Sequence, residues 1–165
     1  MLYAQQTTFH YQDVYEWEGA DIPSAVRVRG RITLDMIQDA LSDTETGLPT
    51  IGIPVMYMRD QIQSGGMFNK QVTDCLVVKN AEHPDDYFHF VFTVRTTGTV
   101  TTIGIYHSGQ SPNSGKAALK EQRQKSSSLF DNFMGAVTRT NDQGMAEEYD
   151  YYGLVFDVIR KTFGI

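Results

Sequence analysis

Residues 25–32, with the sequence AVRVRGRI, alternate strictly between apolar and polar side chains. A period of two indicates a β-strand with one buried face. The apolar face carries Val26, Val28 and Ile32. The opposite face carries Arg27, Arg29 and Arg31. Three like charges on one face repel each other unless water or acidic groups surround them, so this row is a candidate binding surface.

A helical period follows this strand. Its apolar positions are Leu34, Ile37 and Leu41. Thr33 suits an N-cap, and Asp35 falls in the first turn, where an acidic side chain favours the helix dipole. The pattern predicts a helix from Leu34 to Ser42, with Gly47 beyond its end.

Two stretches after the helix predict an antiparallel pair of strands. Residues 50–63 are apolar on both faces, which is typical of a central strand, although Pro54 cannot donate a hydrogen bond within a sheet. Residues 71–80 form the second strand, and glycines at 65–66 mark the turn between them.

The clearest hairpin lies in residues 87–107. Phe88, Phe90, Phe92 and Val94 share one face. A two-residue loop at Thr97 and Gly98 sets a register that keeps apolar residues opposite each other. The expected partners are Phe92 with Ile103 and Phe90 with Ile105. In this register His89 and His107 lie on opposite faces, which argues against a shared metal site.

Both ends of the chain carry aromatic patterns. Near the N-terminus, Phe9, Tyr11, Tyr15 and Trp17 occupy odd positions, which predicts a strand that buries them and bends in its middle. At the C-terminus, residues 149–163 show helical spacing; a strand is the rival, since Gly153 weakens a helix. Two further helices are predicted at 112–125 and 129–137.

Together these elements predict an α+β fold. We expect an antiparallel sheet of five or six strands, with C-terminal helices packed on one face. The alternative is a small, partly closed β-barrel with a C-terminal helix. A length of 165 residues suits a single domain spanning residues 1–165.

Charge and composition narrow the classes of partner. The formal net charge is −6, which argues against binding to nucleic acid or an anionic membrane through the whole surface. A single cysteine, Cys75, excludes an internal disulfide and any multi-cysteine zinc site. Because the sequence shows neither a secretory signal nor an apolar run of membrane-spanning length, we expect a soluble, cytoplasmic protein.

The loop from Gly109 to Lys116 resembles a phosphate-binding loop but departs from its signature. Five residues separate Gly109 from Gly115, where the signature has four, and Ala117 replaces the hydroxyl that would bind magnesium. A polar loop before a helix is therefore favoured. An enzyme acting on a phosphorylated or nucleotide substrate at this loop is the alternative.

A second basic cluster lies on the helix predicted after that loop. It comprises Lys116, Lys120 and Arg123, which share one helix face. With the row of Arg27, Arg29 and Arg31, it forms the candidate anion-binding surface. Two other interpretations stay open: both faces are simply solvated, or the arginine row pairs internally with Glu147, Glu148 or Asp150.

The sequence favours a non-enzymatic binding domain that recognises an anionic ligand or an acidic protein partner. No histidine pair has metal-ligand spacing, Cys75 has no base at a recognisable spacing, and no cofactor motif is present, so neither metal nor cofactor is expected. A third class is a self-associating structural or accessory protein that uses exposed aromatic residues between Tyr11 and Trp17.

Overall fold

The computed structural model describes residues 9–10, 14–17, 22–82, 89–108 and 149–165. Its strands are β1 (Phe9–His10), β2 (Val14–Glu16), β3 (Ala25–Arg29), β4 (Val55–Ser64), β5 (Gln71–Asn80), β6 (His89–Thr97) and β7 (Val100–Ser108). Its helices are α1 (Leu34–Ser42) and α2 (residues 149–163), with a 3-10 turn at Leu48–Ile51. The two helices predicted between 112 and 137 fall outside the described residues.

The strands form one sheet in the order β1-β4-β5-β6-β7-β2, with β3 also paired to β7. All pairs are antiparallel except the two-residue contact of β1 with β4. The sheet curls into a half-barrel and carries the C-terminal helix. The α+β prediction is therefore confirmed, and the curl also matches the barrel alternative.

Strands β2 and β3 share the outer edge of β7. Strand β2 pairs with residues 106–108, and β3 pairs with residues 100–104. Between them, the Trp17 amide donates to the Ile105 carbonyl at 3.1 Å, and the Ile105 amide donates to the Ser24 carbonyl at 2.8 Å. This edge of β7 is therefore hydrogen-bonded without a gap, although two separate segments cover it.

The prediction that the odd-numbered aromatic residues near the N-terminus share a buried face is wrong at Tyr15. Tyr15 is 40% exposed, whereas its neighbour Val14 is buried. The segment is also not one strand: Phe9 pairs at the edge of β4 and packs in the cluster opposite the helices, whereas Trp17 packs in the main core. Trp17 is buried as predicted, with its ring 4.9 Å from that of Phe90.

Helices α1 and α2 cover one face of the sheet, called here the helix face. Helix α1 has the predicted bounds, and the Thr33 hydroxyl accepts a hydrogen bond from the Met36 amide at 3.2 Å. Residues 149–163 are helical, as the sequence favoured. The main core contains Leu34, Ile37 and Leu41 from α1; Tyr152, Val155, Phe156 and Ile159 from α2; and Leu76, Val78, Phe90 and Phe92 from the sheet.

The β6–β7 hairpin differs from its predicted register by two residues. Phe92 lies opposite Ile105, and Phe90 lies opposite His107. The loop is Gly98 and Thr99 rather than Thr97 and Gly98, because Gly98 has a φ of +61°. A positive φ at the first loop position suits glycine and disfavours the β-branched Thr97. A shift of two residues keeps every side chain on its predicted face.

Candidate functional site

The side chains of Arg27, Arg29 and Arg31 are exposed, and Val26, Val28 and Ile32 are buried. Within the described ranges, no side chain forms an ion pair with any of these arginines. Asp150, one of the predicted internal partners, is itself exposed on helix α2 and makes no such contact. The other two, Glu147 and Glu148, lie outside the described residues.

The sheet brings a fourth arginine to this row. Arg27 lies opposite Thr102, and Thr102 lies opposite Arg95 of β6, so all three share a face. Two strand spacings place the Arg27 and Arg95 backbones about 10 Å apart. Arg29 is on the same face two residues along β3. We call Arg27, Arg29 and Arg95 the arginine surface.

Arg31 belongs to a different site from the one its sequence spacing predicted. Strand β3 ends at Arg29, and Gly30 turns the chain with a φ of +102°. Thr101 fixes this turn: its hydroxyl donates to the Gly30 carbonyl at 2.7 Å and accepts from the Ile32 amide at 3.0 Å. Arg31 therefore leaves the strand and lines a neighbouring cleft.

The described acidic residues on the arginine surface's face of the sheet do not neutralise it. Asp60 is only 4% exposed and lies on β4 directly opposite Cys75 of β5. Glu16 lies opposite Tyr106, four residues along β7 from Thr102, or about 13 Å away. The arginine surface therefore presents three exposed positive charges without a described carboxylate partner.

The cleft lies where strands β5 and β6 diverge. They pair only from Cys75 with Thr93 to Val78 with Phe90, yet both strands continue four residues further, over 71–74 and 94–97. The gap has a volume of about 430 Å³. It is lined by residues 31–35 at the start of helix α1, residues 72–74 of β5, and Val94 and Thr96 of β6.

The acidic residues of this cleft already have partners. Asp35 forms an ion pair with Arg59, and Asp74 accepts a hydrogen bond from the Gln61 side-chain amide at 3.0 Å. Arg31 has no side-chain partner in the part of the chain that the structure describes. Gln61 is neutral, so Asp74 keeps its negative charge. The cleft therefore holds one cation, Arg31, and one anion, Asp74, that have no described ion-pair partner, together with the backbone of two strands.

Cys75 is fully buried on the face opposite the helices, in a cluster with Val14, Ile62, Val77 and Val91. Burial raises the pKa of its thiol from 9.0 to about 12, and the negative charges of Asp60 and Asp74 act in the same direction. Because the thiolate is the reactive form, this residue is placed as a structural thiol and not as a nucleophile.

The raised pKa of Cys75 predicts a loss of stability in alkali. The folded state holds the thiol proton up to about pH 12, whereas the unfolded state releases it above 9.0. The stabilisation that the buried thiol contributes is thus full below pH 9, and it falls by about 1.4 kcal/mol per pH unit between the two pKa values. Burial also raises the pKa of Tyr57 to about 12, so both groups contribute to the loss of stability in alkali. The contribution of the thiol is obtained by comparing the wild type with a variant that lacks it.

Urea unfolding of wild type and Cys75→Ala at pH 8 to 11 provides that comparison. We expect the wild type to lose stability more steeply than the variant above pH 9. Parallel pH profiles would contradict the assignment of a raised thiol pKa.

Lys116, Lys120, Arg123 and the loop from Gly109 to Lys116 lie outside the described residues. Among the residues that are described, no group of three or more metal-ligating side chains could hold an ion. No helix in the same set is long and apolar enough to cross a membrane.

Sequence reasoning missed Arg95 and the cleft. Arg95 occupies a polar position of a predicted strand, but only the pairing of β3 with β7 places it beside Arg27.

The comparisons with known proteins found no matching family model, no matching curated protein and no matching solved structure.

Proposed function

We propose that the protein is a non-enzymatic binding domain that recognises an acidic protein partner through the arginine surface. The observation that supports this most is the grouping of Arg27, Arg29 and Arg95 on one exposed face without a described acidic partner. Guanidinium groups bind carboxylates in a planar, two-point geometry, which makes such a group selective for carboxylate-bearing partners.

Electrostatics favours a protein over nucleic acid as the partner. The chain has a formal net charge of −6, so a polyanion is repelled by most of the surface and attracted only locally. A short acidic segment needs only the local field of the arginine surface. Exposed charges are screened over about 10 Å at 0.1 M salt, so binding of this kind weakens as salt increases.

A glutamate-rich peptide of about 12 residues tests the proposal. We expect Arg27→Gln/Arg95→Gln to weaken its binding at least tenfold in calorimetry at low salt, because two guanidinium contacts are lost. The matched control is Arg160→Gln/Lys161→Gln, which removes the same charge from exposed positions of helix α2. Equal losses of peptide affinity in both variants would show that binding depends only on the net charge of the protein, and would contradict a specific surface.

Stability must be measured alongside binding. Exposed substitutions usually change the free energy of unfolding by no more than about 0.5 kcal/mol each. We therefore expect both double variants to melt close to the wild type. A large destabilisation by Arg27→Gln/Arg95→Gln would favour the internal-pairing interpretation, with partners outside the described residues.

A second candidate function, self-association, is favoured by the tip of the β4–β5 hairpin. Met67 is 91% exposed and Phe68 is 95% exposed, so two large apolar side chains project side by side into solvent. Of the aromatic segment predicted for this role, Trp17 is buried, Tyr15 is 40% exposed and Tyr11 lies outside the described residues, so the hairpin tip is the more exposed apolar contact. Aromatic and methionine side chains are enriched in protein interfaces.

Sedimentation measurements at increasing protein concentration test self-association. We expect Met67→Ser/Phe68→Ser to shift any dimer towards monomer, with Met36→Ser, an exposed residue of helix α1, as the control. A wild-type protein that stays monomeric at high concentration would contradict this second candidate.

A further inference from the structure

The diverging strands β5 and β6 leave two sheet edges facing each other across the cleft. Past the last pair, Cys75 with Thr93, no described strand pairs with residues 71–74 on the β6 side or with residues 94–97 on the β5 side. Most of these residues are exposed, including all four of the β5 segment. Their backbone N–H and C=O groups form the kind of open edge that accepts a further strand.

We propose that an extended acidic segment of the partner enters this cleft and adds as a short strand between β5 and β6. The inference rests on the proposed function, because it names how the acidic partner reaches the arginine surface. Backbone hydrogen bonds to the two edges supply the docking, and the flanking arginines select the side chains.

The size of the cleft suits a short segment. Four residues in extended conformation span about 13 Å, which matches the four-residue length of each open edge. The volume of about 430 Å³ falls in the usual range of about 300–1,000 Å³ for ligand pockets. The site therefore fits three or four residues of a peptide and not a folded element.

Strand geometry then predicts the pattern of the bound segment. Successive side chains of an added strand point to opposite faces of the sheet. On one face they would lie beside Arg95, one strand spacing away, where a carboxylate is favoured. On the helix face they would lie among Val72, Asp74, Val94 and Thr96, where the valines favour an apolar side chain and the Asp74 carboxylate repels an acidic one. The segment should therefore alternate acidic and apolar residues.

A small anion bound at the start of helix α1 is less well supported. The Thr33 hydroxyl already accepts from the Met36 amide, and Asp35 places a negative charge in the first turn. The first feature uses a backbone donor that an anion would need, and the second repels the anion itself. The open edges, by contrast, need backbone partners that only an extended chain supplies.

The test uses an acetylated, amidated hexapeptide of alternating glutamate and valine. An analogue N-methylated at two alternate residues keeps its charges but loses two backbone donors. We expect the analogue to bind at least tenfold more weakly. In amide hydrogen exchange, the parent peptide should add protection to those amides of residues 71–74 and 94–97 that are not already bonded to β4 or β7. An alternating glutamine and valine peptide should bind at least tenfold more weakly than the parent.

Failure of this inference and failure of the proposed function give different results. If parent and N-methylated peptides bind equally and both depend on Arg27 and Arg95, the acidic surface stands and strand addition is overturned. If neither these peptides nor the glutamate-rich peptide binds, the proposed function fails, and the inference with it. If residues 71–74 and 94–97 are already fully protected in the free protein, the edges are occupied and the inference is overturned.

Discussion

Replacing Phe92 with alanine is expected to lower the free energy of unfolding by about 3–5 kcal/mol, the usual range for truncating a buried phenylalanine. Phe92 has no exposed surface and lies between Leu76 and Ile105 on the helix face of the sheet. Its ring is 4.5 Å from that of Phe90 in an edge-on contact. Truncation therefore removes apolar contacts and leaves a cavity under both helices.

Urea unfolding followed by circular dichroism measures this loss. Phe68→Ala is the matched control, because Phe68 is the same residue type and is 95% exposed. We expect the control to change stability by no more than about 0.5 kcal/mol. A loss below about 1 kcal/mol for Phe92→Ala would contradict both its burial and the hairpin register.

The sequence predicted helix α1 and strand β3 correctly, because both depend on interactions between residues close together in the chain. The threonine cap and the spacing of Leu34, Ile37 and Leu41 gave helix α1 its observed bounds. The alternation in residues 25–32 correctly separated buried valines from exposed arginines. Both signals work because capping and side-chain periodicity are decided within one or two turns or a single strand.

The hairpin shows where such signals reach their limit. The alternation of side chains along the strand selected the correct faces for Phe90 and Phe92. Alternation alone cannot distinguish registers that differ by two residues, because both put the same side chains on the same face. The turn decides between them, and the choice depends on which loop position must take a positive φ. Gly98 takes it at the first position, which moves the loop one residue towards the C-terminus.

The candidate site depends on contacts that no local pattern encodes. Arg95 joins Arg27 only because β3, distant in sequence, pairs with β7. Arg31 leaves the row because the buried Thr101 hydroxyl holds the turn at Gly30. The cleft exists because two long hairpins separate after four residue pairs. Each of these features is set by the assembled sheet.

Gly47 illustrates a residue whose position was predicted but whose role was not. The sequence placed it beyond helix α1, where a glycine often takes a left-handed conformation. Its φ is instead −93°, which most residues adopt. Its role is close approach: a Cβ atom there would lie 2.5 Å from the Leu41 carbonyl oxygen, 2.6 Å from that of Asp43 and 2.8 Å from that of Ala40.

Gly47→Ala is therefore expected to destabilise the fold by about 1–3 kcal/mol, the range for forcing extra volume into a packed site. All three obstructing atoms are backbone oxygens near the end of helix α1, so no side chain can rotate to make room. Relief requires the chain to move, which strains the hydrogen bond from the Gly47 amide to the Asp43 carbonyl at 2.9 Å. Thermal and urea unfolding measure the effect.

The control for this substitution is Gly66→Ala, at an exposed position where a Cβ atom would meet nothing within 4 Å. We expect it to leave stability within about 1 kcal/mol of wild type, with any gain reflecting reduced freedom of the unfolded chain. A Gly47→Ala variant as stable as the Gly66→Ala variant would show that the loop after α1 can shift to accommodate a Cβ atom at no cost in free energy. In that case the close packing of Gly47 against the helix end does not contribute to the fold.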